Sequence, residues 1–225
     1  MAIAVIFTGL KRFYTSTQPN HDKILQVLRK KYGIVLYNQY RETANSICPF
    51  EQSGKVQVWD LLTARDQVNE DVIVKIRSDV YFTNSSIDVL CKEIDAVIAG
   101  DTDVVYLGID FLHDYDKIHK RENARNCKKV TDFVIVARKN SLENTDTVTA
   151  ALSTTVKSKS GNKTFFKILK PEARAIKVSC QMYLVRKEYS ILDNWQIYWD
   201  WCQHYRKSEQ AQEWVKNNRQ LIGTF

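Results

Sequence analysis

Glycine and proline are scarce in this chain, with seven and three among 225 residues. Flexible linkers and turn-rich repeats need these residues, so their scarcity excludes a string of small modules and predicts one domain over residues 1–225. No apolar run approaches the roughly 20 residues of a membrane span. The apolar start, residues 2–7, is too short for a secretory signal and follows no basic stretch. The five cysteines, Cys48, Cys91, Cys127, Cys180 and Cys202, are odd in number and form no C-x-x-C pair. That argues against a zinc knuckle and a disulfide framework, and reduced thiols suit a cytoplasmic protein. The sequons at Asn84 and Asn162 are then chance matches. Walker A, G-x-G-x-x-G, G-x-S-x-G and H-E-x-x-H motifs are all absent. Their absence counts against P-loop, dinucleotide-binding, α/β-hydrolase and zincin readings.

What is present is ordinary globular composition, 44% hydrophobic and 26% charged, with a formal net charge of +7. The excess of Lys and Arg favours a polyanionic partner or small phosphates. Residues 2–7 and 72–76 are nearly unbroken apolar runs rich in β-branched residues, as strands buried on both faces would be. Residues 34–37, 104–107 and 133–137 read as further strands. Between them, Pro19-Asn20 opens a helix that Lys30-Lys31 and Gly33 close, and residues 60–68 read as a second helix. Ser85-Ser86 caps a third, with Ile87, Leu90, Ile94, Val97 and Ile98 at helical spacing. This alternation predicts an α/β fold, a mostly parallel central sheet covered by helices on both faces. Residues 174–183 read as a strand near the sheet edge, and 193–206 and 208–221 as two closing helices.

In such sheets ligands bind beyond the carboxyl ends of the strands. The polar residues there are Arg77-Ser78-Asp79, at the exit of the 72–76 strand. An arginine can hold a phosphate in a bidentate fork, and an aspartate suits Mg²⁺ or Mn²⁺ bridging a diphosphate. The same two residues would equally make a buried structural ion pair. Gly9, just after the first strand, lets backbone approach a ligand closely, or simply turns the chain.

Four segments, in order, resemble the GT-A-type glycosyltransferases that carry R-x-D in place of D-x-D. They are Val5-Ile6-Phe7-Thr8-Gly9 with the following Arg12; Val58-Trp59-Asp60-Leu61-Leu62-Thr63-Ala64-Arg65; Arg77-Ser78-Asp79; and Val130-Thr131-Asp132-Phe133-Val134-Ile135-Val136-Ala137. The resemblance spans roughly residues 1–140 and implies a GT-A-like fold with a nucleotide-sugar donor, UDP-sugar favoured. It implies a donor-binding half over 1–140 and an acceptor side with closing helices over 141–225. Thr8, Gly9, Arg12, Arg65 and Arg77 would bind the donor. Asp79 would hold Mn²⁺ or Mg²⁺, and Asp79 and Asp132 would be the catalytic pair. Asp132 would serve as base or as ligand to the acceptor hydroxyl, against the plainer reading of a cap at the strand start. The chain departs from the family in two places. Asp101-Thr102-Asp103 has the D-x-D letters but precedes its strand and reads as a turn. Gln181 stands where related sequences often carry a Glu.

Charge suggests the acceptor. Lys117, Lys120, Arg121, Arg125, Lys128 and Lys129 crowd a stretch between two strands and suit a DNA backbone. Small size and style resemble phage transferases that glycosylate hydroxymethylated cytosine in DNA, including arabinosyltransferases. Such an enzyme would work in the host cytoplasm. The alternatives are a transferase building a surface polysaccharide or lipid-linked glycan, and a non-enzymatic basic nucleic-acid-binding protein.

Overall fold

The computed structural model describes residues 1–10, 14–41, 53–108, 121–127, 130, 133–153, 167–180 and 182–185. The chain begins with β1 (Ala2–Leu10), α1 (Tyr14–Lys31) and β2 (Gly33–Arg41). Then come α2 (Ser53–Gln67), β3 (Val72–Arg77), β4 (Val80–Phe82) and α3 (Asn84–Ala99). After β5 (Val104–Leu107) follow β6 (Arg121–Asn123), β7 (Val134–Arg138) and α4 (Thr145–Ser153). The last described strands are β8 (Ala175–Val178) and β9 (Met182–Leu184).

Seven strands form one sheet in the order β2-β1-β3-β7-β5-β8-β6, and β4 pairs with β9 in a second, two-stranded sheet. Strands β2, β1, β3, β5 and β8 point one way, with β7 and β6 reversed. The expected α/β architecture with a mostly parallel sheet is what the chain adopts. Both unbroken apolar runs lie inside it, β1 between β2 and β3, and β3 between β1 and β7. Alternate residues of each strand feed two separate cores. Ile3, Val5, Phe7, Val74 and Ile76 pack with Ile24 and Leu28 of α1 and with Leu90, Ile94 and Val97 of α3. On the other face Ala4, Ile6, Ile73 and Ile135 pack with Val58, Leu61 and Leu62 of α2 and with Val148 and Leu152 of α4. This two-sided burial is why the strands carry so few polar residues.

Five details of the expected layout differ in the structure. The strand at 133–137 runs antiparallel to both neighbours: Val134 lies opposite Leu107 and Ile76, the last residues of their strands' pairings. Like β6 before it, this strand starts at the carboxyl edge of the parallel strands, and an apolar run buried on both faces reads alike in either direction. Helix α1 begins at Tyr14, and Pro19 lies inside it rather than at its start. The cap of α3 is Thr83, two residues before Ser85, and its hydroxyl accepts the Ser86 N–H at 3.1 Å. The single strand expected over 174–183 is two, β8 in the large sheet and β9 in the small one. The basic stretch holds β6 and a short 3-10 turn, Ala124–Asn126, rather than loop alone. The two closing helices expected over 193–221 lie outside the described residues.

Candidate active site

The carboxyl ends of β1 and β3 lie side by side, with Thr8 opposite Arg77 in register. The Ser78 N–H donates to the Thr8 carbonyl at 2.8 Å, continuing the pairing one residue past β3. Gly9 follows with φ +107°, in the region that favours glycine. A Cβ there would stand 3.0 Å from Ser78 Oγ and 3.2 Å from Gln57 Nε2. Two reasons therefore hold glycine at this place, the backbone angle and the approach of two side chains. Thr8 is fully buried, and its hydroxyl donates to Gln57 Oε1 at 2.9 Å. Gln57 sits in the N-terminal half of α2, which brings that end of the helix to the strand ends.

Arg77 and Asp79 form a bidentate pair: Nε donates to Oδ1 at 2.9 Å and a terminal nitrogen to Oδ2 at 2.8 Å. Their side chains are 15% and 12% exposed, so the pair is mostly withdrawn from water yet still reached by it. The guanidinium also lies 5.7 Å over the ring of Phe133, and the Arg77 N–H donates to the Phe133 carbonyl at 3.0 Å. An ionised carboxylate offers about four lone-pair directions, and Arg77 uses one on each oxygen. Asp79 is a hard oxygen ligand of the kind a divalent ion takes. Mg²⁺-like ions are commonly held by one or two carboxylates, with substrate phosphates and water completing the shell. Among the described residues no three His, Cys, Asp or Glu gather into a metal-binding group.

Residues 78–82 are held from the other side by α1. Thr17 Oγ1 donates to the Ser78 carbonyl at 2.7 Å, and His21 Nε2 to the Val80 carbonyl at 2.7 Å. Asn20 makes two bonds, Nδ2 to the Phe82 carbonyl at 2.9 Å and Oδ1 from the Phe82 N–H at 2.8 Å. The His21 ring stacks on Phe7 with centroids 4.8 Å apart. Burial lowers its pKa to about 4; the bond to Val80 and the charge of Asp79 oppose the shift. The ring is therefore neutral near pH 7, and since a carbonyl only accepts, its proton is on Nε2.

Of the residues expected in the site, Thr8, Gly9, Arg77 and Asp79 come together. Arg65 does not join them. It lies two turns beyond Gln57 toward the other end of α2, about 12 Å along the axis. There it pairs with Asp66 and reaches the Leu142 carbonyl at 3.4 Å. Arg12, Asp132, Lys117, Lys120, Lys128 and Lys129 lie outside the described residues. Arg121 and Arg125 are described, and the protein itself engages both. Arg121 pairs with the buried Glu93 at 3.1 Å, and Arg125 donates to the carbonyls of Lys170, Pro171 and Ala173. Asp103 of the D-x-D letters lies before β5, at the amino edge of the sheet, clasped by Arg174 at 3.0 Å. The residues missed were Gln57, Thr17, Asn20 and His21. The signal for the last three was present: polar positions 17, 20 and 21 continue the apolar stripe of Ile24 and Leu28.

No protein-family model matches the sequence, and no curated protein does. Solved structures do resemble the fold. A glycosyltransferase involved in glycosylation of the major capsid of PBCV-1 matches at TM-score 0.49 and 12% identity, over 78% of this chain and 80% of that one. The galactosyltransferase LgtC, with donor and acceptor sugar analogues, matches at 0.48 and 11%, over 80% and 72%. S. aureus TarS 1-349 with UDP-GlcNAc matches at 0.45 and 14%, over 95% and 69%. These scores describe a loose likeness of fold, and the chemistry of the site rests on this chain's own residues.

Proposed function

We propose that this protein is a glycosyltransferase that binds a nucleotide-sugar donor, UDP-sugar favoured, at the carboxyl ends of β1 and β3. The observation that carries this reading is the Arg77–Asp79 pair, mostly buried, at the strand end beside Gly9. Transfer breaks the bond between the anomeric carbon and a diphosphate oxygen, and negative charge gathers on the leaving diphosphate. Arg77 would bring its positive charge to that diphosphate. Asp79 would hold Mn²⁺ or Mg²⁺, which supplies further neutralisation when bound. Gly9 makes the turn at φ +107° that lets Ser78 and Gln57 close against the end of β1. Arg65 is withdrawn from this role, because its length of helix separates it from the site. Arg12 and Asp132 keep the roles the resemblance implies, Asp132 as base or acceptor ligand next to Phe133.

Hydroxymethylated DNA as acceptor draws no support from Arg121 and Arg125, which the protein binds to itself. A surface or lipid-linked glycan would use the same basic stretch. The test incubates the protein and Mn²⁺ with a panel of nucleotide sugars and three acceptors: hydroxymethylated DNA, a glycan and a lipid-linked glycan. Products are weighed by mass spectrometry. A sugar-sized gain on one acceptor, lost in Asp79→Asn, is expected. No binding of any nucleotide sugar would refute the enzyme reading in favour of a binding protein.

A further inference from the structure

The side chains of α1 that face the candidate site carry a role the donor reading does not assign them. Thr17, Asn20 and His21 are buried, with exposures of 0%, 6% and 1%. Together they take the carbonyls of residues 78, 80 and 82. Within β4 the carbonyls of Val80 and Phe82 point to one edge, and Ser78 lies in the turn just before it. That edge, which a neighbouring strand would normally satisfy, is satisfied by helix side chains. On the other edge β9 pairs with β4, and the Val185 N–H donates to the Asp79 carbonyl at 2.7 Å. The segment that carries Asp79 is thus held from both edges, by side chains on the helix edge.

Burying Thr, Asn and His on an apolar stripe costs desolvation that Leu or Val would not incur. A histidine and an asparagine on a core-facing stripe are justified where their hydrogen bonds fix geometry. Here they fix the path of the chain immediately after Arg77. His21 adds direction, since its ring lies stacked on Phe7 of β1 while Nε2 meets Val80. It thereby ties the β1 end, with Thr8 and Gly9, to the β4 end, with Asp79.

We infer that Thr17, Asn20 and His21 are positioning residues that set the backbone of 78–82, and through it the Asp79 carboxylate, for donor binding. The inference rests on the donor reading. It distinguishes these side chains from core filler, which would stabilise the fold without regard to Asp79.

The test uses the full chain and the variants His21→Leu, His21→Gln and Asn20→Leu. Glutamine can offer an N–H near the place of Nε2, whereas leucine fills space without a donor. Binding of UDP, GDP, CDP, ADP and dTDP, each with Mn²⁺, is measured by titration calorimetry. Hydrogen exchange is followed at peptides covering 77–85 and, as a control, α3. For the nucleotide that binds best, His21→Leu and Asn20→Leu should weaken affinity about tenfold, and His21→Gln should recover most of it. Exchange at 77–85 should rise about tenfold while α3 stays protected. Wild-type affinity in the leucine variants overturns the inference and leaves the donor reading standing. So does exchange that rises equally in α3 and at 77–85, which marks loss of general stability. A wild-type protein that binds none of the five nucleotides overturns the donor reading, and the inference falls with it.

Discussion

Mild acid should weaken this fold through His21. The ring is buried against Phe7, and burial lowers its pKa from 6.5 to about 4. Between those values the unfolded chain binds a proton that the folded chain excludes, so falling pH favours unfolding. The contribution of the neutral ring is whole above pH 6.5 and is lost as pH falls toward about 4. From those two values the loss between about pH 7 and about pH 5 comes to about 2 kcal/mol. In a chain of this length that corresponds to roughly 4–8 °C in Tm. Asp103, held low by its bonds to Arg174, loses its own contribution only at lower pH, so it does not mask this window. The assay is urea unfolding of the wild type and His21→Leu at the two pH values. The wild type should lose about 2 kcal/mol more than the variant across the interval. An equal loss in both proteins would show that the ring is not buried in its neutral form, and the reasoning would fail.

Gly9→Ala should cost about 1–3 kcal/mol in urea unfolding, because it places a Cβ at positive φ and against Ser78. Its nucleotide affinity should fall as well. Asp103→Asn should cost under about 1 kcal/mol, since Arg174 is mostly exposed, and should leave nucleotide affinity unchanged in calorimetry. Arg121→Ala should destabilise by about 1–3 kcal/mol, because it leaves the buried Glu93 carboxylate without its cation. Glu93→Gln in the same background should restore most of that loss, as a double-mutant cycle by thermal unfolding would show.

Much of the architecture was legible because burial on two faces writes itself plainly. The runs at β1, β3 and β5 are apolar at nearly every buried position, Thr8 and Lys75 excepted, and α3 shows its stripe of Leu90, Ile94 and Val97. Direction was not legible: Val134–Arg138 has no feature that tells parallel from antiparallel, and it pairs antiparallel with both β3 and β5. Strands β4 and β9 have three residues each, too few for a period to show. At the site, Arg77-Ser78-Asp79 stood out because charge at the end of an apolar strand is rare. Arg65 was a legible error: a helix between two parallel strands begins at their carboxyl edge, so a residue near its end, like Arg65, lies away from the strand ends that Gln57 reaches. The α1 residues were readable as polar breaks in an apolar stripe, but their partners, sixty residues away, were not.

The central claim is that Asp79 and Arg77 form part of a donor diphosphate site. The most direct measurement is thermal unfolding of the wild type and Asp79→Asn with each nucleoside diphosphate, with and without Mn²⁺. A ligand at about one hundred times its Kd stabilises the native state by about 2.7 kcal/mol. For a chain of this size that is a rise of roughly 5–10 °C. The account predicts such a rise for one nucleotide with Mn²⁺ in the wild type, and little or none in Asp79→Asn. An equal rise in both proteins, or none in either, would contradict it.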